Sequence, residues 1–173
     1  MRHLKAAPAV PLARARRTAR STPGFTLVEL MVAVAIGAIL LGVAAPYFGD
    51  YLGNSRLREG GNAMLADALF AQSEALKRNG TVRLSVAGGS LTVQDMNGTT
   101  PVTLRNRSLV PGLVADTVNV DFGSSGAPLP FGTAATINLT QSGQTCSSAL
   151  RCPGLRIDGG GGIRLCADQL SCT

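Results

Sequence analysis

From Phe25 to Ala45 the chain carries only one ionisable side chain, Glu29, and the remaining positions are almost all apolar or small. A run of that length without a polar face predicts a helix that lies in lipid or inside a bundle of similar helices. After Pro46 the pattern acquires a face. Leu57, Met64, Leu65, Ala68, Leu69, Ala75 and Leu76 recur at three- and four-residue steps and predict an amphipathic stripe. Lys77 and Arg78 suit the negative end of a helix, and Asn79-Gly80 supplies a stop. Phe25 to Asn79 therefore reads as one helix, about 80 Å long at 1.5 Å per residue. Pro46 removes a backbone donor and is expected to kink it. Gly53 and Gly60-Gly61 are expected to be weak points where it bends or frays.

Beyond Gly80 the period changes from helical to alternating. Thr81–Val86 and Ser90–Gln94 flank Gly88-Gly89 and read as a hairpin. Further short strands are expected at Val102–Leu104, Val118–Phe122, Thr136–Leu139, Leu155–Ile157 and Ile163–Leu165, with a loop over Gly123–Gly132. The fold class is α+β: an antiparallel sheet wrapped on the amphipathic half of a long helix. The segments are then 1–24, a basic leader; 25–45, a transmembrane stretch; 46–79, the amphipathic helix; and 80–173, a β-domain.

Charge changes this picture in one respect. The formal charge is +6, yet Arg2, Lys5, Arg14, Arg16, Arg17 and Arg20 all precede Gly24. The remaining ten basic residues meet ten acidic ones, so the body of the chain is neutral. The basic excess is a topology signal that keeps the leader on the inner side of a membrane, and it argues against a nucleic-acid-binding body. The only histidine, His3, also lies in the leader. No triad or metal set can be assembled from the rest, no cofactor is expected, and an enzyme is excluded. Gly159-Gly160-Gly161-Gly162 lacks the Lys-Ser/Thr of a phosphate loop and reads as a flexible hairpin tip.

Cys146, Cys152, Cys166 and Cys172 crowd into the last 28 residues. In an exported domain an even count reads as two disulfides. A tetrathiolate zinc site is the alternative, but no Cys-x-x-Cys pair is present. If Leu155 faces Leu165 and Ile157 faces Ile163, Cys152 falls opposite Asp168 and only diagonal to Cys166. Diagonal separations exceed disulfide reach, so Cys146–Cys152 and Cys166–Cys172 are the expected pairs. The same register sets Arg156 directly opposite Arg164.

A lone carboxylate in a membrane helix costs about 2.5–3.5 kcal/mol on insertion scales and calls for a partner. Cleavage between Gly24 and Phe25 would supply one, because the new amine sits one helical turn from Glu29. An amine from a staggered neighbouring helix could meet Glu29 instead, and neutralising two charges together would set the register of assembly. An ordinary signal peptide ending at Val43-Ala44-Ala45 is the competing reading, but a carboxylate inside its core and Pro46 after the cut speak against it.

The order of residues, a basic leader followed by Gly24-Phe25-Thr26-Leu27-Val28-Glu29-Leu30, resembles the type IV pilins and pseudopilins. That resemblance implies cleavage after Gly24 by a prepilin peptidase and N-methylation of Phe25. It also implies anchoring in the inner membrane by one span, a periplasmic C-terminal domain, and assembly with other pilins or pseudopilins on an inner-membrane platform. Arg56-Leu57-Arg58 and Ala71-Gln72-Ser73-Glu74-Ala75-Leu76-Lys77-Arg78 before a β-domain are similar to the GspH/FimT class, with Gln72 where the class has Arg. Membership implies a minor pseudopilin of type II secretion or, as the alternative, a minor pilin of pilus assembly or DNA uptake. In some of its members a C-terminal Gly-Arg-x-Arg motif binds DNA. Here Gly161-Gly162-Ile163-Arg164 lacks the first arginine, which Arg156 would have to replace. Glu74, Lys77 and Arg78 are expected to form a solvated helix face with local ion pairs.

Overall fold

The computed structural model describes residues 24–172, so the expected leader lies outside it apart from Gly24. The chain divides into two units, the first ending at Gly42 and the second beginning at Val43. Helix α1, Leu27–Arg78, runs from the first into the second and passes through Pro46 and Gly60-Gly61 without a break. In the first unit its side chains meet no core: the span Leu27–Ala44 is unburied, with a mean hydropathy of 2.5. By length and composition that span is long and apolar enough to cross a membrane.

In the second unit the helix lies on an antiparallel sheet. Its strands are β1 (Val82–Gly88), β2 (Ser90–Asp95), β3 (Val102–Ser108), β4 (Leu113–Phe122), β5 (Pro128–Leu129), β6 (Ala135–Gln141), β7 (Gly154–Ile157) and β8 (Ile163–Cys166). The order across the sheet is β3-β2-β1-β4-β6-β7-β8, with β5 paired to β4. The core forms where Leu57, Met64, Ala68, Ala71 and Ala75 of the helix meet the inward residues of the strands, among them Leu84, Leu91, Phe122, Ile137 and Leu155. The helix ends as expected at Asn79-Gly80. Asn79 has φ +50°, its N–H donates to the Leu76 carbonyl, and the Gly80 N–H donates to the Ala75 carbonyl. That is a Schellman cap.

Three expectations need correction. Leu69 and Leu76 leave the stripe and are about half exposed, while Asp67 and Glu74 take buried places on it. The stripe was read from apolar residues alone, and two charged residues with partners fit equally well. Gly60 and Gly61 are not weak points. A Cβ on Gly60 would come within 2.7 Å of Leu113 and Leu139 side-chain carbons, and one on Gly61 within 3.0 Å of Pro153. Glycine there lets the helix approach the sheet. Gly123–Gly132 is not all loop, since Pro128 and Leu129 pair with Phe122 and Asp121.

Strands β3 and β4 are longer than expected, each for its own reason. In β4 the buried positions are Leu113 and Ala115, then Val120 and Phe122, so the parity changes midway. The change coincides with a bulge, Val86 pairing with Val118 but Gly88 with Ala115. An extra residue turns every later side chain to the other face, which hides the strand from an alternation test. In β3 the half-buried positions include Arg105, and its arginines read as loop until their partner is known.

Candidate functional site

At the start of α1, Gly24 and Phe25 are exposed and precede the first helical residue, with Phe25 at 85% exposure. Thr26 caps the helix. Its hydroxyl oxygen accepts from the Glu29 N–H at 3.2 Å, and its carbonyl accepts from the Leu30 N–H at 3.1 Å. Thr26-Leu27-Val28-Glu29 has capping-box spacing, and a carboxylate in the first turn is favoured by the helix dipole. An accessible Gly24–Phe25 bond is thus followed at once by a well-formed helix whose first charged group is Glu29. Its side chain is exposed, as are the apolar residues around it.

At the other end of the chain β7 and β8 pair with Leu155 opposite Leu165, Arg156 opposite Arg164 and Ile157 opposite Ile163. The two arginines therefore share the outer face of the hairpin. They are not equivalent. The Arg156 Nη1 donates to Asn138 Oδ1 at 3.0 Å and to the Leu155 carbonyl at 3.2 Å, which draws it toward β6. Arg164 is exposed and in no ion pair among the described residues. The hairpin is bounded by two disulfides, Cys146–Cys152 and Cys166–Cys172, each with Cα atoms 5.7 Å apart. The Gln169 N–H donates to the Cys152 carbonyl at 2.6 Å, which extends the contact of the two segments beyond the ladder.

The glycine tip of this hairpin is docked, contrary to the flexible tip expected. Gly161 has φ +93°, and a Cβ there would lie 2.6 Å from the Gly126 carbonyl oxygen. Gln72, on the helix, donates through Nε2 to the Gly126 carbonyl at 2.8 Å and to the Gly161 carbonyl at 2.6 Å. Two amide protons on one nitrogen meet two carbonyls from distant loops. Sequence reasoning marked Gln72 only as a departure from a pattern, and nothing local to it signals the two carbonyls.

The ionic contacts that frame these regions were largely unforeseen. Asp67 is fully buried and receives Arg105 Nη1 at 3.0 Å and Arg107 Nε at 2.9 Å, both from β3. The Arg105 guanidinium also lies 3.8 Å over the Phe70 ring. Glu74 pairs with Arg78 at 2.8 Å and Lys77 at 3.3 Å, while Arg78 reaches Asp95 at 3.0 Å. The local pairs were expected, but Glu74 is buried instead of lying on a solvated face. The Arg78 hydrogen bond holds the Glu74 carboxyl below its usual range. Asp95 is held low first by the Asn97 N–H and then by the Asn97 side chain and Arg78. Arg83 and Asp121, opposite each other on β1 and β4, join through two bonds of 2.6 and 2.8 Å. Among the described residues no three His, Cys, Asp or Glu side chains cluster to hold a metal.

A family model described as a prokaryotic N-terminal methylation motif matches residues 20–45. A second, described as type II transport protein GspH, matches residues 61–162, more than half of the chain. A type IV major fimbrial protein FimA and a fimbrial protein, both from Dichelobacter nodosus, are 50% identical over 46 residues. Those matches take 27% of this chain and 28% of each relative, so the chain spans about a quarter of the length of the curated relatives it matches. Two crystal structures of the type IV minor pilin FimU from Pseudomonas aeruginosa share the fold, with TM-scores of 0.52 and 0.55 at 21% identity. They cover 62% and 64% of this chain and 90% and 88% of their own.

Proposed function

This chain belongs to the GspH family of type II transport proteins, and from that premise we propose that it is a minor pseudopilin of a type II secretion pseudopilus. Pilins and pseudopilins are structural subunits, not enzymes, and this chain is of that kind. The observation that carries the finer reading is the order of features in one chain. An accessible Gly24–Phe25 bond and Glu29 stand at the start of an apolar helix, ahead of a domain matching the GspH model. On this reading a prepilin peptidase cuts after Gly24 and Phe25 is N-methylated. The helix then holds the subunit in the inner membrane with its β-domain in the periplasm. Assembly with other pseudopilins on the inner-membrane platform follows, and Glu29 meets the amine of a neighbouring subunit. On the same reading Pro46, which lacks a backbone donor, is the residue that kinks the helix.

Mass spectrometry of the protein isolated from host membranes is expected to find N-methylated Phe25 at the terminus. A terminus at Pro46 would overturn the reading. Deleting the gene is expected to retain exoproteins inside the cell while surface pili persist. Loss of pili with normal secretion would move the protein to the pilus machinery.

One observation favours a second reading, DNA uptake: Arg156 and Arg164 stand directly opposite each other on an outer face. If they grip a phosphate backbone, the mature chain in detergent binds DNA of any sequence. The affinity falls steeply with salt, and Arg164→Gln flattens that dependence by about one unit of slope. The secretion reading expects no binding at physiological salt, and the tether of Arg156 to Asn138 supports that outcome.

A further inference from the structure

We propose that the cleft between α1 and the Cys146–Cys152 loop is an oxyanion site that takes a phosphate group. The cleft encloses about 300 Å³ and is lined by Tyr51, Asn54, Ser55, Arg58, Ala149 and Arg151. The helix contributes positions 51, 54, 55 and 58, which fall on one face at steps of three and four. The loop contributes Arg151, and Asn54 fixes it there. The Asn54 Nδ2 donates to the Ala149 carbonyl at 2.7 Å, and its Oδ1 accepts from the Arg151 N–H at 2.9 Å. The Ser147 N–H donates to the Leu150 carbonyl at 2.9 Å, and the Leu150 N–H returns a bond to the Ser147 hydroxyl at 3.2 Å. The loop is therefore closed on itself, bridged by a disulfide and clamped to the helix, and it holds Arg151 in the same cavity as Arg58.

Charge then selects the ligand. Arg78, Arg83, Arg105 and Arg107 are each paired with a carboxylate, whereas Arg58 and Arg151 enter no ion pair among the described residues. No carboxylate lines the cleft. Asp168 flanks Arg151 on the far side, in an adjoining cleft, where its Oδ1 already accepts from the Leu170 N–H at 3.0 Å. Two guanidinium groups with the hydroxyls of Ser55 and Tyr51 form a set rich in donors. A carboxylate would neutralise one positive charge. A phosphate monoester, close to −2 above its second pKa of about 6, neutralises both and has three oxygens for the four donors.

The test uses the full mature chain in nanodiscs of phosphatidylcholine, with inorganic phosphate as the probe, read by calorimetry and phosphorus NMR. Saturable binding is expected at pH 8 and several-fold weaker binding at pH 5.5, where phosphate carries one more proton. Arg58→Gln and Arg151→Gln are each expected to weaken it at least tenfold. Asn54→Ala, which keeps both arginines but releases the loop, is expected to weaken it too. Arg56→Gln, on the same helix but outside the cleft, is expected to leave it unchanged. A parallel set of nanodiscs containing phosphatidic acid identifies the source. Competition that disappears in Arg58→Gln assigns the site to a lipid headgroup, and undiminished binding assigns it to a soluble phosphate compound. No saturable binding in either set, or an equal loss in Arg56→Gln, overturns the proposal.

Discussion

Asp67 shows how far a single residue can depart from its ordinary place. A carboxylate without solvent is tolerated because two guanidinium groups reach it from β3. The cost of breaking this cluster depends on which member is removed. Asp67→Ala takes the buried charge away and leaves two half-exposed arginines that water can reach, so a loss of about 1–3 kcal/mol is expected. Arg105→Ala with Arg107→Ala strands the carboxylate, and about 3–5 kcal/mol is expected. Chemical denaturation of the mature chain in detergent checks the order, and a larger loss for Asp67→Ala would contradict it. Gly161→Ala is expected to cost about 1–3 kcal/mol, since it strains a φ of +93° and drives a methyl group onto the Gly126 carbonyl. None of these roles was legible in the sequence. A buried Asp and an exposed one are the same letter, and a glycine needed for close approach looks like a glycine needed for slack.

Elements were legible where one physical rule acted alone. The hairpin register at β7 and β8 followed from matching apolar residues, because Leu155, Ile157, Ile163 and Leu165 all seek the same core. The end of α1 followed from Asn79-Gly80, which has few other uses. Strand β4 defeated the same approach, because its bulge between Ala115 and Val118, opposite Val86–Gly88, reverses the alternation on which recognition depends. The end of α1 is joined to β2 by charge as well as packing, and pH exposes that junction. Glu74 and Asp95 both have folded pKa values lowered below their unfolded ones. Their contribution is therefore present above the unfolded range near pH 4 and is lost as pH falls through the folded values. Melting temperature is expected to drop steadily as pH falls below about 4.5. Arg78→Gln is expected to flatten that drop, since Arg78 is the leading cause of the Glu74 shift. An unchanged profile would show that the junction is held by apolar contacts alone. Gln72→Ala is expected to speed hydrogen exchange at Gly161 and Gly126 with little effect on the helix, because it releases both carbonyls at once.

For the whole molecule, the distribution of charge is more informative than its sum. With six basic residues confined to the first 24, the rest is formally balanced, and Glu29 stands alone in the apolar span. Glu29→Leu is expected to leave the membrane level unchanged or raised, because insertion becomes easier, while incorporation into the filament falls. Fractionation and quantification of sheared or cross-linked filaments check this, and equal incorporation would remove Glu29 from the assembly scheme. The architecture as a whole was readable because a switch from helical to alternating period at Gly80 leaves few ways to bury both halves. The inward arginines of β3 have a consequence for life in a crowd. A subunit concentrated among copies of itself risks having its outermost strands recruited into a continuous intermolecular sheet. Along β3 a newcomer would meet a strand whose inner face is committed to Arg105 and Arg107, charges that a β-stack cannot accommodate. At the opposite border β8 is four residues long and ends in Cys166, whose link to Cys172 closes the chain back on itself. Both borders are built against templated growth, which is what a domain crowded among its own copies needs.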